Sequence, residues 1–316
     1  IMGKTVTTEF AFYAPGKTAN PHNPGHTPGG SSSGSAAAVA DFHVPVALGT
    51  QTSGSIIRPA SFNGVFGCKP TYNSYSLDGI HPLAPDLDTL GAFSRSAGDL
   101  AVLHDVLADR QTSRIPSAIL PATVALVRTP AWDDADAQVR ESILEFAGRL
   151  KQADIDVIEP DEDLLHGLME VQQAYLARGA ATSLGHITDR HPTQGRPQTR
   201  DLVAEGRRVD EAFNARLQDG LARGERFLSG IFSRADLVIT PSAAGEAPAG
   251  LHNTGDPMFN RIWTFLQTPC MNLPLTRAAG GLPIGVQLVC NREEDERLFA
   301  YTEHLQNLTD YDIEQP

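Results

Sequence analysis

Between positions 123 and 158 the apolar residues change their period twice. Thr123–Val127 is a short, apolar and β-branched run of strand length. Across Ala137–Gln152 the apolar residues Val139, Ile143, Phe146, Ala147 and Leu150 recur at intervals of three and four, the spacing of one buried helix face. Ile155–Ile158 is strand-like again. Strand, helix and strand in succession predict a βαβ unit, and with it the α/β class. Residues 162–234 are rich in helix formers and predict several outer helices. Leu237–Thr240 and Ile284–Val289 predict strands, and Glu293–Leu305 an amphipathic helix. Nearer the start, Val44–Leu48 reads as a buried strand and Phe62–Cys68 as a further apolar run.

Two stretches fit no period. Residues 16–34 hold Gly16, Pro21, Pro24, Gly25, Pro28, Gly29, Gly30 and Gly34, a density of breakers that predicts a long, shaped loop. It runs into Ala36–Ala40, a helix of small residues that neighbours can approach closely. Gly49 to Ser55 is a second loop of small residues.

Composition narrows the class. A chain of 316 residues with 41% hydrophobic and 20% charged residues is that of a globular protein, here read as a single domain over 1–316. The net charge is −13 and no dense Lys/Arg run interrupts it, which speaks against nucleic acid and against an anionic membrane as partners. No apolar run reaches the length of a bilayer span. Cys68, Cys270 and Cys290 are too few for a disulfide framework, and a reducing, cytoplasmic setting fits. The opening Ile1-Met2-Gly3-Lys4-Thr5 has no initiator Met at position 1 and reads as the end of a strand already under way. The expectation is a chain lacking its N-terminal part.

The candidate chemistry lies in the two loops. One reads Gly29-Gly30-Ser31-Ser32-Ser33-Gly34-Ser35 and the other Gly49-Thr50-Gln51-Thr52-Ser53-Gly54-Ser55. Loops of Gly, Ser and Thr gather backbone N–H groups and hydroxyls without bulk, which suits either a phosphate or an oxyanion. The phosphate reading lacks the lysine of a P-loop, and GxGxxG is absent. An oxyanion hole from the N–H groups of Thr52, Ser53, Gly54 and Ser55, with Ser55 as the attacking hydroxyl, fits better. The ten histidines form no zinc motif and no GxSxG elbow accompanies them, although a Ser-His-Asp set assembled by folding stays open.

These residues resemble the amidase signature family. The likeness runs through Gly29–Val39, Ala47-Leu48-Gly49-Thr50, Gly54-Ser55, Arg58-Pro59-Ala60, Gly67-Cys68-Lys69-Pro70-Thr71 and Gly281–Leu288, with Gly3-Lys4-Thr5 and Glu9-Phe10-Ala11 as lead-in. It covers essentially the whole chain. The resemblance implies a mixed central sheet covered by helices and a Ser–Ser–Lys mechanism, with Ser55 as nucleophile and Ser31 after a cis peptide bond as relay. Thr52, Ser53 and Gly54 would form the oxyanion hole, and Arg58, Gly30, Ser32 and Thr50 would contact substrate. No metal or cofactor is implied. The family's lysine base matches none of Lys4, Lys17, Lys69 or Lys151, and the expectation places it upstream of Ile1. Ser53 stands where the family usually has glycine.

Within the family the chain looks most like the malonamidase branch, on Arg58, Thr50-Gln51-Thr52, Thr254-Gly255-Asp256-Pro257 and Asn260–Thr264. There the arginine grips the carboxylate of a short acid amide; an internal salt bridge from Arg58 to Asp86 or Asp88 is the competing reading. Trp263 and Phe265 are read as core, with the acyl pocket as the other option. The leading expectation is therefore a stand-alone amidase on small, carboxylate-bearing, malonamate-like amides. The alternatives are the glutaminase subunit of a tRNA-dependent amidotransferase, disfavoured by the acidic charge and by Gln51 in place of the usual aspartate, and a silent ligand-binding relative lacking the lysine. The expected partners are a small-molecule amide and, for assembly, a second copy of the chain; nucleic acid and membrane are not expected.

Overall fold

The computed structural model describes residues 1–109 and 119–316. Eight strands form one mixed sheet in the order β1-β3-β2-β7-β8-β6-β4-β5. They are β1 (Val46–Gln51), β2 (Phe66–Lys69), β3 (Thr89–Ser94), β4 (Thr123–Leu126), β5 (Asp156–Ile158), β6 (Leu237–Pro241), β7 (Cys270–Arg277) and β8 (Pro283–Val289). The predicted βαβ unit is present: β4 pairs parallel with both β5 and β6, and α4 (Ala137–Gln152) crosses between β4 and β5. All the other pairings are antiparallel.

Both faces of the sheet are covered, and the strands show why their sequences read as unbroken apolar runs. In β4, Val124 and Leu126 belong to one core while Ala125 and the following Val127 belong to the other. In β6, Leu237 and Ile239 alternate with Val238 in the same way. The first face carries α3 (Ala97–Leu107), α4 and α9 (Asp295–Leu305). Helix α4 buries Val139, Ile143, Phe146, Ala147 and Leu150, the five positions its periodicity marks, and Arg149 and Lys151 sit in its last turn, where the helix dipole favours cations. The second face carries α5 (Leu168–Arg190), α6 (Pro197–Gly206), α7 (Ala212–Phe232) and the short α8 (Arg261–Phe265).

Two expectations need correction, and two strands went unread. The strand predicted over Val44–Leu48 is β1, shifted to Val46–Gln51, and it is an edge strand with Leu48 half exposed rather than a buried one. A hydrophobic run reports strand tendency, whereas the covering of that strand is a tertiary matter. Residues 1–5, read as a strand end, have no regular structure. Strands β3 and β7 went unread because glycine and polar residues interrupt their patterns. Two further helices flank the site: α1 (Ser33–Ala40), which follows the first serine loop, and α2 (Ile57–Asn63), which follows the second.

Candidate active site

The first loop ends in a cis peptide bond between Gly30 and Ser31. The Ser31 carbonyl accepts from Thr8 N at 3.1 Å and from Ser33 N at 2.8 Å. Its hydroxyl, by contrast, is buried without a hydrogen-bond partner among the described residues. At α1, Gly34 N donates to Val6 O at 2.9 Å, and a side chain at position 34 would collide with the Val6 backbone. The small residues of this helix therefore let residues 6–8 lie across its start.

The second loop leaves β1 at Gln51 and enters α2. Gln51 is fully buried; its Oε1 accepts from Ile56 N at 2.9 Å and Ile57 N at 3.0 Å, and its Nε2 donates to Thr264 Oγ1 at 3.0 Å. It thus satisfies N–H groups that open the helix, as an aspartate at this position could also do. Thr52 Oγ1 donates to Asp88 at 2.6 Å, and Asp88 also accepts from Leu83 N and Ala84 N at 2.8 and 3.0 Å. Burial pushes the Asp88 carboxyl above its ordinary range, against the pull of these three bonds. Gly54 packs on Asn260 and Pro257 so closely that a side chain there would overlap the Asn260 amide. Among the described residues, the N–H groups of Ser53, Gly54 and Ser55 meet no acceptor. Buried backbone N–H groups are nearly always paired, so three in a row mark this turn.

The two loops close on one small cavity. Ser31, Thr52, Ser53, Ser55, Arg58 and Thr254 supply its polar lining, and Phe12, Tyr13, Leu83 and Leu176 most of the apolar part. Five of the residues singled out in the sequence therefore meet here. Gly30 contributes its carbonyl to Arg58. Ser32 and Thr50 lie one layer back: Ser32 Oγ donates to Thr50 O at 3.3 Å, and Thr50 lines a neighbouring cavity beside Asp88 and His81.

Arg58 is completely buried. Its Nε donates to Thr254 O at 2.7 Å and its Nη2 to Gly30 O at 2.6 Å, while Nη1 has no partner among the described residues. Among the described residues, the salt bridge to Asp86 or Asp88 is not formed, and Asp88 holds Thr52 instead. Burial pushes the guanidinium down to about 10, partly offset by Tyr13 and Asp256, so it remains a cation at neutral pH. A buried charge whose hydrogen bonds go only to neutral groups, with Asp256 acting on it without a direct bond, is costly unless an anion pairs with it.

Among the described residues, no histidine and no lysine lines the cavity. His22 and His26 are bonded to the carbonyls of Asn63 and Ala247, and the buried Lys69 donates to Pro70 O at 2.9 Å. The Ser-His-Asp alternative is not assembled here. Trp263 and Phe265 are core residues, with Trp263 against Phe227. The sequence reading missed Tyr13 in the lining and the anchors of the second loop, Gln172 and Thr264. Gln172 Nε2 donates to Thr52 O and Ser53 Oγ at 3.0 and 2.9 Å. Nothing local marks Gln172, next to Gln173 in a helix more than a hundred residues away.

A family model described as Amidase matches residues 1–299. The chain belongs to the amidase family. As a member of that family it is an amide-cleaving enzyme. It is 32% identical to one subunit of the glutamyl-tRNA(Gln) amidotransferase from Synechococcus sp. (strain WH7803), over 98% of this chain and 74% of that protein. It is 31% identical to the same-named protein from Synechococcus sp. (strain CC9311), over 100% and 76%. A crystal structure titled as an amidase superposes with a TM-score of 0.86 at 27% identity, over 97% of this chain and 74% of that one.

These relatives correct one expectation. Nucleic acid was excluded from net charge, yet the relatives are subunits of an enzyme named for a tRNA. Net charge governs only the phosphate contacts a chain makes with its own surface; it says nothing about one member of a complex that acts on tRNA. The relatives do not show the malonamidase branch. Among the described residues, no helix is long and apolar enough to cross a membrane.

Proposed function

We propose that this amidase family chain cleaves the terminal amide of a small amide that also carries a carboxylate, with glutamine as the substrate the relatives favour and ammonia as the product passed on within a tRNA-dependent amidotransferase. Malonamate-like acid amides carry the same two groups and are the second substrate class to compare. The carrying observation is Arg58: a fully buried cation whose Nη1 has no partner among the described residues, on the wall of the cavity that holds Ser31 and Ser55. A substrate carboxylate would supply the missing anion, and a guanidinium binds it by charge-assisted hydrogen bonds.

The chemistry follows from the lining. Ser55 Oγ attacks the amide carbonyl, and its proton passes to Ser31 Oγ. The carbonyl oxygen becomes an oxyanion facing the free N–H groups of Ser53, Gly54 and Ser55, each such donor worth about 3–4 kcal/mol in the transition state. Ser31 delivers a proton to the leaving nitrogen, the C–N bond breaks, and an acyl ester remains on Ser55. Water then cleaves the ester and frees the acid. The base that serves the relay beyond Ser31 is none of the four lysines in these 316 residues, as none lines the cavity.

The test is ammonia release by the full chain from glutamine, from malonamate and from neutral amides of the same length. The acid amides should be turned over with a far lower KM, and Ser55→Ala should abolish every reaction. Equal KM values for acid and neutral amides would remove the carboxylate reading.

A further inference from the structure

The three unpaired N–H groups are aimed by the carbonyls behind them. In a trans peptide the C=O and the following N–H point in opposite directions within one plane, so fixing a carbonyl fixes the next amide. Thr52 O accepts from Gln172 Nε2 at 3.0 Å, which directs the Ser53 N–H away from α5. Ser53 O accepts from Thr264 Oγ1 at 2.6 Å, directing the Gly54 N–H. Gly54 O accepts from Arg58 N at 3.0 Å, directing that of Ser55. The third bond is the start of α2 itself, and Thr264 is held in turn by Gln51. Gln172 comes from α5 and also donates to Ser53 Oγ at 2.9 Å. It is fully buried, and one turn further along α5 Leu176 lines the cavity.

Ser53 explains why this bond exists here. Glycine is the usual residue at this position in the resembling family, but Ser53 is not among the residues with positive φ, so the backbone does not require glycine. Its hydroxyl instead gives Gln172 a second point of attachment. We infer that Gln172 is a positioning residue of the oxyanion hole: gripping Thr52 O and Ser53 Oγ together, it sets the plane of the Thr52–Ser53 peptide and so the aim of the Ser53 N–H. The inference rests on the reading of Ser55 as nucleophile.

The experiment compares Gln172→Met and Gln172→Glu with Ser53→Gly and Ser55→Ala in the full chain, measuring kcat, KM and affinity for an alkylboronic acid that forms a tetrahedral adduct on serine. Methionine keeps the volume and removes the donor; an ionised glutamate keeps the shape and could accept from Ser53 Oγ, to which Gln172 donates, but cannot donate to Thr52 O. Losing the aim of one oxyanion donor should lower kcat by about ten- to a hundredfold, less than the 10²–10³ seen when a donor is deleted outright. KM should stay within about threefold, and boronate affinity should fall in step with kcat. Both Gln172 variants should behave alike, and Ser53→Gly should lose far less because the Thr52 bond survives. Should Gln172→Met fail to fold, Gln172→Glu alone decides. Either variant keeping kcat within twofold, or losing boronate and product-acid affinity equally, overturns the inference. Activity surviving in Ser55→Ala would instead overturn the nucleophile reading beneath it.

Discussion

The loop from Gln51 to Ile56 has two sides that differ in one respect. On the side facing α5, α8 and the 83–88 turn, the polar groups are paired: Thr52 Oγ1 with Asp88, Thr52 O with Gln172, Ser53 O with Thr264, and Gln51 with Ile56 and Ile57. On the side facing the cavity, Ser31 Oγ, Arg58 Nη1 and three backbone N–H groups have no partner among the described residues. Each buried, unsatisfied group costs about 1–3 kcal/mol. Collecting several at one point is a cost the paired side makes bearable by holding the loop rigid. Folding thus satisfies what faces the core and leaves open what faces a reactant.

The largest effects should come from the open side. Ser55→Ala is expected to lower amide hydrolysis by about 10⁴-fold or more, the loss typical of a removed nucleophile; ammonia release under single-turnover conditions reads it directly. Ser31→Ala should cost about 10²–10⁴-fold, the range for a lost proton-transfer group, with a Tm that is unchanged or raised, because the hydroxyl it removes is buried without a partner among the described residues. A large fall in Tm would mean that Ser31 belongs to the paired side. Arg58→Met should raise KM for acid amides by about ten- to a hundredfold, the value of one charge-assisted bond, and leave neutral amides nearly unaffected. It should also lower Tm, since Gly30 O and Thr254 O lose their donor.

The smallest expected effect lies on the paired side and concerns pH. Asp88 is raised above its ordinary range by burial. Such a group favours the fold fully only below its unfolded value, near 3.9, and loses that contribution as pH rises through the folded value. Asp88→Asn does not titrate. The Tm of the variant minus that of the parent should therefore become more positive between pH 4 and pH 7. A difference that is flat with pH would show that the three hydrogen bonds to Asp88 cancel its desolvation.

What could be read in the sequence followed local rules. The βαβ unit from β4 to β5 and the helix α4 were legible because their burial repeats with the period of the backbone itself. The two serine loops were legible for the opposite reason: glycines, prolines and hydroxyls too dense for any regular element, and a motif spread along the chain. Strand β1 shows the limit, since its residues predicted a strand and its place at the sheet edge was invisible.

The chain by itself determined which residues could do chemistry. Only the tertiary structure decided that Ser31 and Ser55 share a cavity, that Arg58 reaches it with one nitrogen to spare, and that Gln172 and Thr264 hold the loop from behind. The physical reason is sequence distance. A hydrogen bond between residues 119 or 211 positions apart leaves no periodic trace in either partner's neighbourhood, and its geometry exists only after the sheet and its helices have packed.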